Sequence, residues 1–221
     1  MDTSLTLKPI ELIDIGIDKL TKIPIPILSD NMISIYNIDE SGIPIDSLSF
    51  IINTSLSING LSGSCTINSV YPITLTFNWG NNRFNQVNIS GNTTIDENSG
   101  FYYDSNGTYT ILITGGVSLI TNFEMINQGI TSILPYNLKK LTFFNLSGNS
   151  LTTINMDGLI YLKYIYLQYN KIIDVDFDIY IAADTFLSFN GYINTVGNSS
   201  PTIYSEIDRN NLISKGWTLT Y

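Results

Sequence analysis

The stretch LKKLTFFNLSGNSLTTI, residues 138–154, places its large apolar side chains at fixed intervals around one asparagine, Asn149. The same pattern recurs downstream in LIYLKYIYLQYNKIIDV, residues 159–175, with a constant shift of 21 in residue number, as from 138 to 159. It also occurs upstream, at the same spacing, in VSLITNFEMINQGITSI, residues 117–133, where Gln128 takes the place of the asparagine. Self-similarity at a fixed period of this length is typical of a solenoid of stacked turns.

A fourth copy is expected downstream at a spacing of 20. Three residues there match residues of the third copy, and an aromatic residue lies 20 residues after Ile172, where the pattern predicts an apolar one. These four residues are Leu187, Phe189, Asn190 and Tyr192. We therefore predict four turns, from residue 117 to about residue 196.

The repeats resemble the leucine-rich-repeat family, with its L-x-x-L-x-L-x-x-N-x-L pattern, except that Phe144 and Ile165 sit one place early. The resemblance implies that each turn supplies a short strand and a return segment, and that the leucine positions fill a continuous interior. It gives Asn149, Asn170 and Asn190 a structural role. Their side-chain amides would turn inward and satisfy backbone groups that the bend leaves unpaired.

Upstream of the repeats, apolar residues alternate with polar ones at Ile73, Leu75, Phe77 and Trp79, which predicts a strand of an antiparallel sheet. The groups Phe77-Asn78-Trp79-Gly80, Tyr102-Tyr103 and Gly107-Thr108-Tyr109-Thr110-Ile111 resemble the immunoglobulin-like PKD fold over residues 47 to about 115. Asn81 and Asn82 depart from the Asp-Gly of that pattern. We predict a mainly β chain, in which an immunoglobulin-like β-sandwich precedes a short leucine-rich-repeat solenoid with a C-terminal capping helix and strand.

Four segments are predicted. Residues 1–46 form an N-terminal arm or attachment segment, or alternatively a third domain, with Pro24 and Pro26 suited to an extended arm. Residues 47–116 form the PKD-like sandwich, and residues 117–198 form the repeats. Residues 199–221 form the cap, with a helix of about 13 residues that begins at Ser200 and carries Ile203 and Ile207 on one face.

The composition excludes the most common active sites. The chain of 221 residues has no histidine and one cysteine, so Ser-His-Asp, Cys-His and the usual zinc sites cannot form. Its net charge of -9 disfavours nucleic acid. Asp174, Asp176 and Asp178 would share one face of a strand and could hold calcium, but they lack the glycine and glutamate of an EF-hand loop. We predict a non-enzymatic protein with no catalytic residues, no metal and no cofactor.

Binding is expected on the open face of the repeat sheet, because residues between the inward leucines point outward. Aligning the copies puts Asn122, Phe143, Tyr164 and Asp184 in one row and Glu124, Asn145, Tyr166 and Phe186 in the next. The predicted partner-binding residues are the aromatic ones on or beside these rows, namely Phe143, Tyr164, Tyr166, Tyr169, Phe186 and Phe189. The alternative is that the sandwich or a neighbouring subunit covers this face.

Three functions compete. The first is a surface component of a bacteriophage virion, within a larger assembly of other virion or surface proteins. It fits the acidic pI of about 4.2 and an N-terminus without a secretory signal, since Asp2, Glu11 and Asp14 interrupt its apolar stretch. The second is a bacterial cell-surface adhesin that contacts a host-surface protein or a glycan. The third is an accessory module of a carbohydrate-active enzyme. Neither nucleic-acid binding nor membrane insertion is expected.

Overall fold

The computed structural model describes residues 46–221, and every structural statement below concerns these residues. The predicted N-terminal arm lies outside them, apart from Asp46. The Asp46 carboxylate accepts hydrogen bonds from the backbone N–H groups of Gly116 and Ser118, both at 2.8 Å. The start of the described chain is therefore tied to the point where the repeats begin.

The described chain is mainly β and forms two sheets. The strands are β1 Ser47–Asn53, β2 Cys65–Ser69, β3 Ile73–Asn78, β4 Phe84–Ile89, β5 Thr93–Ile95, β6 Thr108–Thr114, β7 Ile120–Glu124, β8 Ile130–Leu134, β9 Phe143–Asn145, β10 Tyr164–Tyr166, β11 Tyr192–Asn194 and β12 Thr218–Thr220. The helices are α1 Ala182–Asp184, which continues a π-helical segment Asp176–Ile181, and α2 Glu206–Ser214. Short 3-10 turns cover Thr54–Leu56, Glu97–Ser99, Val117–Leu119 and Ile203–Ser205.

The first sheet has five antiparallel strands in the order β4-β3-β6-β1-β8. Alternation along β3 buries Leu75 and Phe77, as the period of two predicts. Trp79 follows in the same row, stacks between Phe77 and Phe101, and donates its indole N–H to Asn85 at 2.9 Å. The tryptophan is therefore fully buried with its one polar group paired, which explains why this sequence tolerates so large a side chain there.

The second sheet has seven strands in the order β12-β11-β10-β9-β7-β2-β5. Strands β7, β9, β10, β11 and β12 are parallel, whereas β2 and β5 join antiparallel. The first repeat copy thus gives one strand, β7, to this sheet and one, β8, to the other. The Phe50 ring of the first sheet lies 6.2 Å from the Phe123 ring of the second, so the apolar core is continuous across Gly116.

The repeat pattern corresponds to a repeated set of buried positions. In the second and third copies, every aliphatic or aromatic position of the pattern is in the core. These positions are Leu138, Leu141, Phe144, Leu146, Leu151, Ile154, Leu159, Leu162, Ile165, Leu167, Ile172 and Val175. The central residues of the parallel strands stack on one another, with Phe123 next to Phe144, Phe144 next to Ile165, and Ile165 next to Ile193.

The fourth copy differs from the expected one. Tyr192 of β11 pairs with Tyr164 of β10, so the shift in residue number, from 164 to 192, is 28 rather than 20. The helical segment Asp176–Ile181 and α1 occupy the added length of the return path. The predicted register for Asp184, Phe186 and Asn190 is therefore wrong, because these residues precede the fourth strand instead of forming it.

The cap also departs from its prediction. Helix α2 has 9 residues and is shorter than expected. The N-cap of the 3-10 turn before it is Thr202, whose hydroxyl accepts from Tyr204 N–H at 3.2 Å. Ile203 and Ile207 are exposed, whereas Leu212 and Trp217 are buried. Strand β12 extends the parallel sheet beside β11, so the last turn is covered by these two buried side chains and one added strand.

Candidate functional site

The outward face of the seven-stranded sheet carries the candidate site. Because the central strand residues are buried, the residues on either side of them point away from the core. One outward row runs across β7, β9, β10, β11 and β12 as Asn122, Phe143, Tyr164, Tyr192 and Thr218. The second row runs as Glu124, Asn145, Tyr166, Asn194 and Thr220.

Four aromatic side chains on these rows form one cluster, which we call the aromatic ladder: Phe143, Tyr164, Tyr166 and Tyr192. The Phe143 ring centroid lies 6.2 Å from that of Tyr164 and 5.4 Å from that of Tyr166. The centroids of Tyr166 and Tyr192 are 5.3 Å apart. Because neighbouring parallel strands carry these rings, the distance between strands fixes the distance between the rings of the ladder.

Uncharged polar groups surround the ladder. The Asn145 side-chain amide donates to the Glu124 carboxylate at 3.4 Å, and Asn145 Oδ1 accepts from the Ser147 N–H and hydroxyl. The Thr220 hydroxyl donates to Tyr192 Oη at 3.3 Å. The Lys163 ammonium lies 5.7 Å from the Tyr164 ring centroid, within cation–π range. The face therefore offers rings, amides and hydroxyls, with one carboxylate and one nearby ammonium.

The phenol of Tyr166 stays neutral well beyond physiological pH. Partial desolvation raises its pKa, and so do the neighbouring phenols of Tyr192 and Tyr164 and the charge of Glu124. A neutral phenol is both a hydrogen-bond donor and an acceptor. Tyr166 thus combines an apolar ring with a polar group that remains usable at the edge of the ladder.

The predicted partner-binding residues divide into two groups. Phe143, Tyr164 and Tyr166 lie together, and Tyr164 is the most exposed of them at 38%. Phe186 is only 4% exposed and packs against Trp217 at 6.2 Å between ring centroids, so its predicted place on the open face is wrong. The cause is the longer spacing of the fourth turn, which places Tyr192 in the ladder instead.

Tyr169 and Phe189 are exposed but lie off the ladder. Tyr169 has a positive φ of 58° at the bend after β10, and its N–H donates to Val196 O at 2.7 Å. Phe189 precedes β11. The sequence alignment misses Tyr192, although Tyr192-Ile193-Asn194 repeats the aromatic–apolar–Asn order of Phe143-Phe144-Asn145. That triplet is the signal that could have found it.

The asparagines predicted to be structural form a hydrogen-bonded series inside the bend. Asn149 accepts from the N–H groups of Gln128 and Ile130 at 3.0 Å and donates to the carbonyl oxygens of Met125 and Leu146 at 2.7 and 2.9 Å. In the first copy, Gln128 at the same position accepts from Ser64 N–H at 3.0 Å and donates to Ile126 O at 2.8 Å.

Asn170 repeats this arrangement one turn later. It accepts from Leu151 N–H at 3.1 Å and donates to the carbonyl oxygens of Leu146 and Leu167 at 2.8 and 3.0 Å. Each amide thus connects its own strand end to the turn before it. In each of these turns one side-chain amide pairs buried backbone groups of the bend.

Asn190 does not continue the series. It is exposed with a positive φ of 54°, and the structural role predicted for it is wrong. Asn198 occupies that position, accepting from Ile172 N–H at 3.0 Å and donating to the carbonyl oxygens of Leu167 and Thr195 at 2.8 and 3.0 Å. The physical reason is again the longer fourth turn, which places the bend after β11 at Asn198.

The acidic residues of the last turn serve the fold. Asp176 and Asp178 lie on a helical segment instead of a strand, so the shared strand face proposed for them does not exist. Asp178 accepts from Ile154 N–H at 3.1 Å, and Asp176 accepts from Thr202 N–H at 3.1 Å. Residues 46–221 contain no group of three or more histidine, cysteine or acidic side chains close enough to share a metal ion.

The remaining candidate reactive groups, the thiol of Cys65 and the carboxylate of Asp178, are buried or hydrogen-bonded to the backbone. Burial, and secondarily the charge of Glu124, raises the pKa of the Cys65 thiol, so this cysteine remains protonated. Asp157 and Asp178 line an open depression of about 310 Å³ beside Ile154, but one carboxylate oxygen of Asp178 already accepts a hydrogen bond from Ile154 N–H. Within the described residues, no helix is long and apolar enough to cross a membrane.

Comparison of the chain with protein-family models, with curated proteins and with solved structures gave no match.

Proposed function

We propose that the chain is a non-enzymatic binding protein, a surface component of a virion, that contacts a partner protein through the aromatic ladder. Its architecture under this proposal is a PKD-like, immunoglobulin-type sandwich that shares its core with a short leucine-rich-repeat solenoid. The observation that carries the proposal is the cluster of Phe143, Tyr164, Tyr166 and Tyr192 at centroid distances of 5.3–6.2 Å on an outward sheet face.

The leucine-rich-repeat part of the proposal rests on three coincident features. The constant sequence period places equivalent strands β9 and β10 side by side in a parallel sheet. The leucine positions are buried, and Asn149 and Asn170 pair the backbone of the bend. Turns that each leave one apolar side for the next turn to cover are the defining feature of a solenoid.

The composition of the face favours recognition over interior packing. Tyrosine, asparagine and threonine dominate the two outward rows, and these residues supply rigid amphipathic rings and adaptable hydrogen bonds in protein-binding surfaces. A face covered by the chain's own core would carry the Leu, Ile and Phe that fill the opposite side. Tyr164 at 38% exposure and the half-buried Tyr166 fit a surface that remains open until a partner arrives.

A protein partner fits the charges of the face. The carboxylate of Glu124 and the ammonium of Lys163 offset each other near the ladder, although the whole chain carries a net charge of -9. Attraction to a highly charged polymer would need one sign of charge across the surface. A partner that presents its own mixture of apolar and uncharged polar groups is complementary to this face.

The test uses two tyrosine pairs in the full chain. Tyr164→Ala with Tyr166→Ala removes half of the ladder. The matched control, Tyr71→Ala with Tyr204→Ala, removes two tyrosines that are 66% and 77% exposed and lie off the ladder. Each protein is offered to virus particles from the source culture that lack the chain, and incorporation is measured by mass spectrometry of the purified particles.

We expect the control pair to be incorporated like the unmodified chain and the ladder pair to fall at least tenfold, since aromatic anchors of this kind each contribute about 2 kcal/mol or more to an interface. Equal circular dichroism and melting temperatures must accompany that loss. Normal incorporation of the ladder pair would refute the binding face. If the unmodified chain were recovered from host envelope fractions and not from particles, the proposed location would be the bacterial surface instead of the virion.

A further inference from the structure

Strand β4 lies at one edge of the five-stranded sheet, and within residues 46–221 it pairs only with β3. Its six residues, FNQVNI, carry no charged side chain and no proline. The pairing of β3 with β4 runs from Ile73 opposite Ile89 to Asn78 opposite Phe84 without a bulge. The edge is therefore straight, neutral and six residues long.

Sheet edges normally carry protection against pairing with another chain, such as lysine, proline, a bulge or very short length. The other edges of the two sheets have such protection. Strands β5 and β12 have three residues each, and β8 is followed directly by Pro135 and shows a register shift in its pairing with β1. Strand β4 has none of these features, which sets it apart from the other edges.

The backbone groups that β4 presents outward follow from its hydrogen bonds to β3. Trp79 N–H donates to Arg83 O at 3.1 Å, which identifies this opposed pair as a hydrogen-bonded one. Bonded pairs recur every second residue in an antiparallel ladder, so Asn85 and Val87 bond to β3. The N–H and C=O groups of Phe84, Gln86 and Asn88 consequently point away from the sheet.

We propose that β4 pairs with β4 of a second copy of this chain, antiparallel and about a two-fold axis at Gln86. Three residues of each strand have outward backbone groups, and only the register with Gln86 opposite Gln86 places all three opposite their counterparts. Phe84 then faces Asn88 of the partner copy, and about six N–H···O bonds join the strands. A two-fold axis requires this kind of self-complementary surface.

The side chains are compatible with that register. Phe84, Gln86 and Asn88 share one face of the strand, where Asn88 accepts from the Thr74 hydroxyl at 2.7 Å and Gln86 lies 3.4 Å from Thr76. Phe84 is 45% exposed and would be covered across the axis. The net charge of the chain is -9, but neither β3 nor β4 contributes to it, so the two strands that would meet place no like charges opposite one another.

The first experiment measures the mass of the full chain by sedimentation equilibrium over a range of concentrations. We expect a monomer–dimer equilibrium that Gln86→Pro weakens at least about tenfold, because proline removes the outward N–H on both strands and leaves the bonds to β3 in place. Gln86→Thr keeps the N–H and should dimerise like the unmodified chain. Circular dichroism verifies that each variant is folded.

A charge-exchange experiment tests the register. Gln86→Lys and Gln86→Glu each place like charges opposite one another at the axis, which should weaken the dimer roughly two- to fivefold. An equimolar mixture should restore or exceed the original affinity. A chain that is monomeric at every concentration, or a Gln86→Pro variant as dimeric as the unmodified chain, would overturn the proposal. A mixture no tighter than its components would overturn the axis at Gln86.

Discussion

In both the third repeat copy and the fourth turn, an asparagine side chain pairs the backbone of the bend. Different interactions, however, hold each of them to the part of the chain packed against it. After the third strand, Asn170 and buried Leu, Ile and Val side chains make the connection. At the bend after β11, Asn198 makes the corresponding backbone bonds, but the C-terminal cap is bound by the carboxylates of Asp176 and Asp184, which lie between β10 and β11. Amides do not titrate and carboxylates do, so the two regions should respond differently to pH although they share one sheet.

The carboxylates of the last turn are each surrounded by donors. Asp176 accepts from the Thr202 N–H and from the hydroxyls of Thr202 and Ser205, and Arg209 lies 3.5 Å away. Asp184 accepts from Lys215 at 2.9 Å and from the Asn211 amide at 3.0 Å. These bonds join the π-helical segment and α1 to the cap, so charged groups add to the apolar contacts of Leu212 and Trp217 there, whereas the inner turns combine apolar contacts with uncharged amides.

The largest effect is expected from Asn170→Leu. The substitution leaves Leu151 N–H without its partner in a buried bend and removes one of the two side-chain donors to each of Leu146 O and Leu167 O. An unsatisfied buried group costs about 1–3 kcal/mol, so we expect the free energy of unfolding to fall by about 3 kcal/mol. Urea denaturation of the full chain, followed by circular dichroism, measures it.

Gln168→Leu is the matched control, with the same new side chain at a nearby position. Its Oε1 atom is buried and has no hydrogen-bond partner among the described residues. Removing an unsatisfied acceptor should leave stability unchanged or raise it slightly. Equal losses for Asn170→Leu and Gln168→Leu would show that leucine is simply not tolerated at this bend, and would contradict the role given to Asn170.

A smaller and local effect is expected on acidification. Partial desolvation raises the pKa of Asp176, but the hydrogen bonds from Ser205 and Thr202 and the charge of Arg209 outweigh it and hold the pKa below the ordinary value of 3.8. The pKa of Asp184 is lowered in the same way, because Lys215 and Asn211 outweigh its desolvation. A lowered folded pKa adds stability that is complete above the ordinary value and is lost as pH falls through the folded one.

The cap should therefore open before the inner turns as pH drops below about 4. Hydrogen-exchange protection, corrected for the intrinsic rate at each pH, should fall first in Glu206–Ser214 while Tyr164–Tyr166 stays protected. Asp176→Asn removes one titrating group. In this variant the cap should be less protected at neutral pH, and its protection should depend less on pH. Simultaneous loss of protection in both segments, with no change in Asp176→Asn, would contradict the division between the two regions.

The packing of the first three repeat copies could be predicted from the sequence. A constant period fixes which side chains are buried, because equivalent strands that lie side by side in a parallel sheet repeat the same packing. The mainly β character and the open face with Phe143, Tyr164 and Tyr166 followed from the same alignment. These inferences depend on local spacing, which the chain preserves through Val175.

The last turn was not readable, because the period changes there. Leu187, Phe189 and Asn190 imitate the third copy at a spacing of 20, whereas the true match, Ile193-x-Thr195-x-x-Asn198, has threonine in place of the leucine. The helical insertion that lengthens the turn is held by Asp176, and its contacts with residues 202–209 are distant in sequence. Placing Tyr192 in the ladder, and removing Phe186 from it, required knowledge of those contacts.

The smallest effect distinguishes Asn198, the asparagine that pairs the bend of the fourth turn, from Asn190, which the sequence pattern assigns to that place. Asn198→Ala removes the bonds to Leu167 O and Thr195 O and the acceptor of Ile172 N–H from a partly exposed bend, which should lower the free energy of unfolding by about 1 kcal/mol. Asn190→Gly should change it by less than about 0.5 kcal/mol, since glycine accepts the positive φ of this position without strain. Urea denaturation compares them directly. A larger loss for Asn190→Gly than for Asn198→Ala would restore the shorter spacing expected from the sequence, and with it the assignment of Asn190 to the bend.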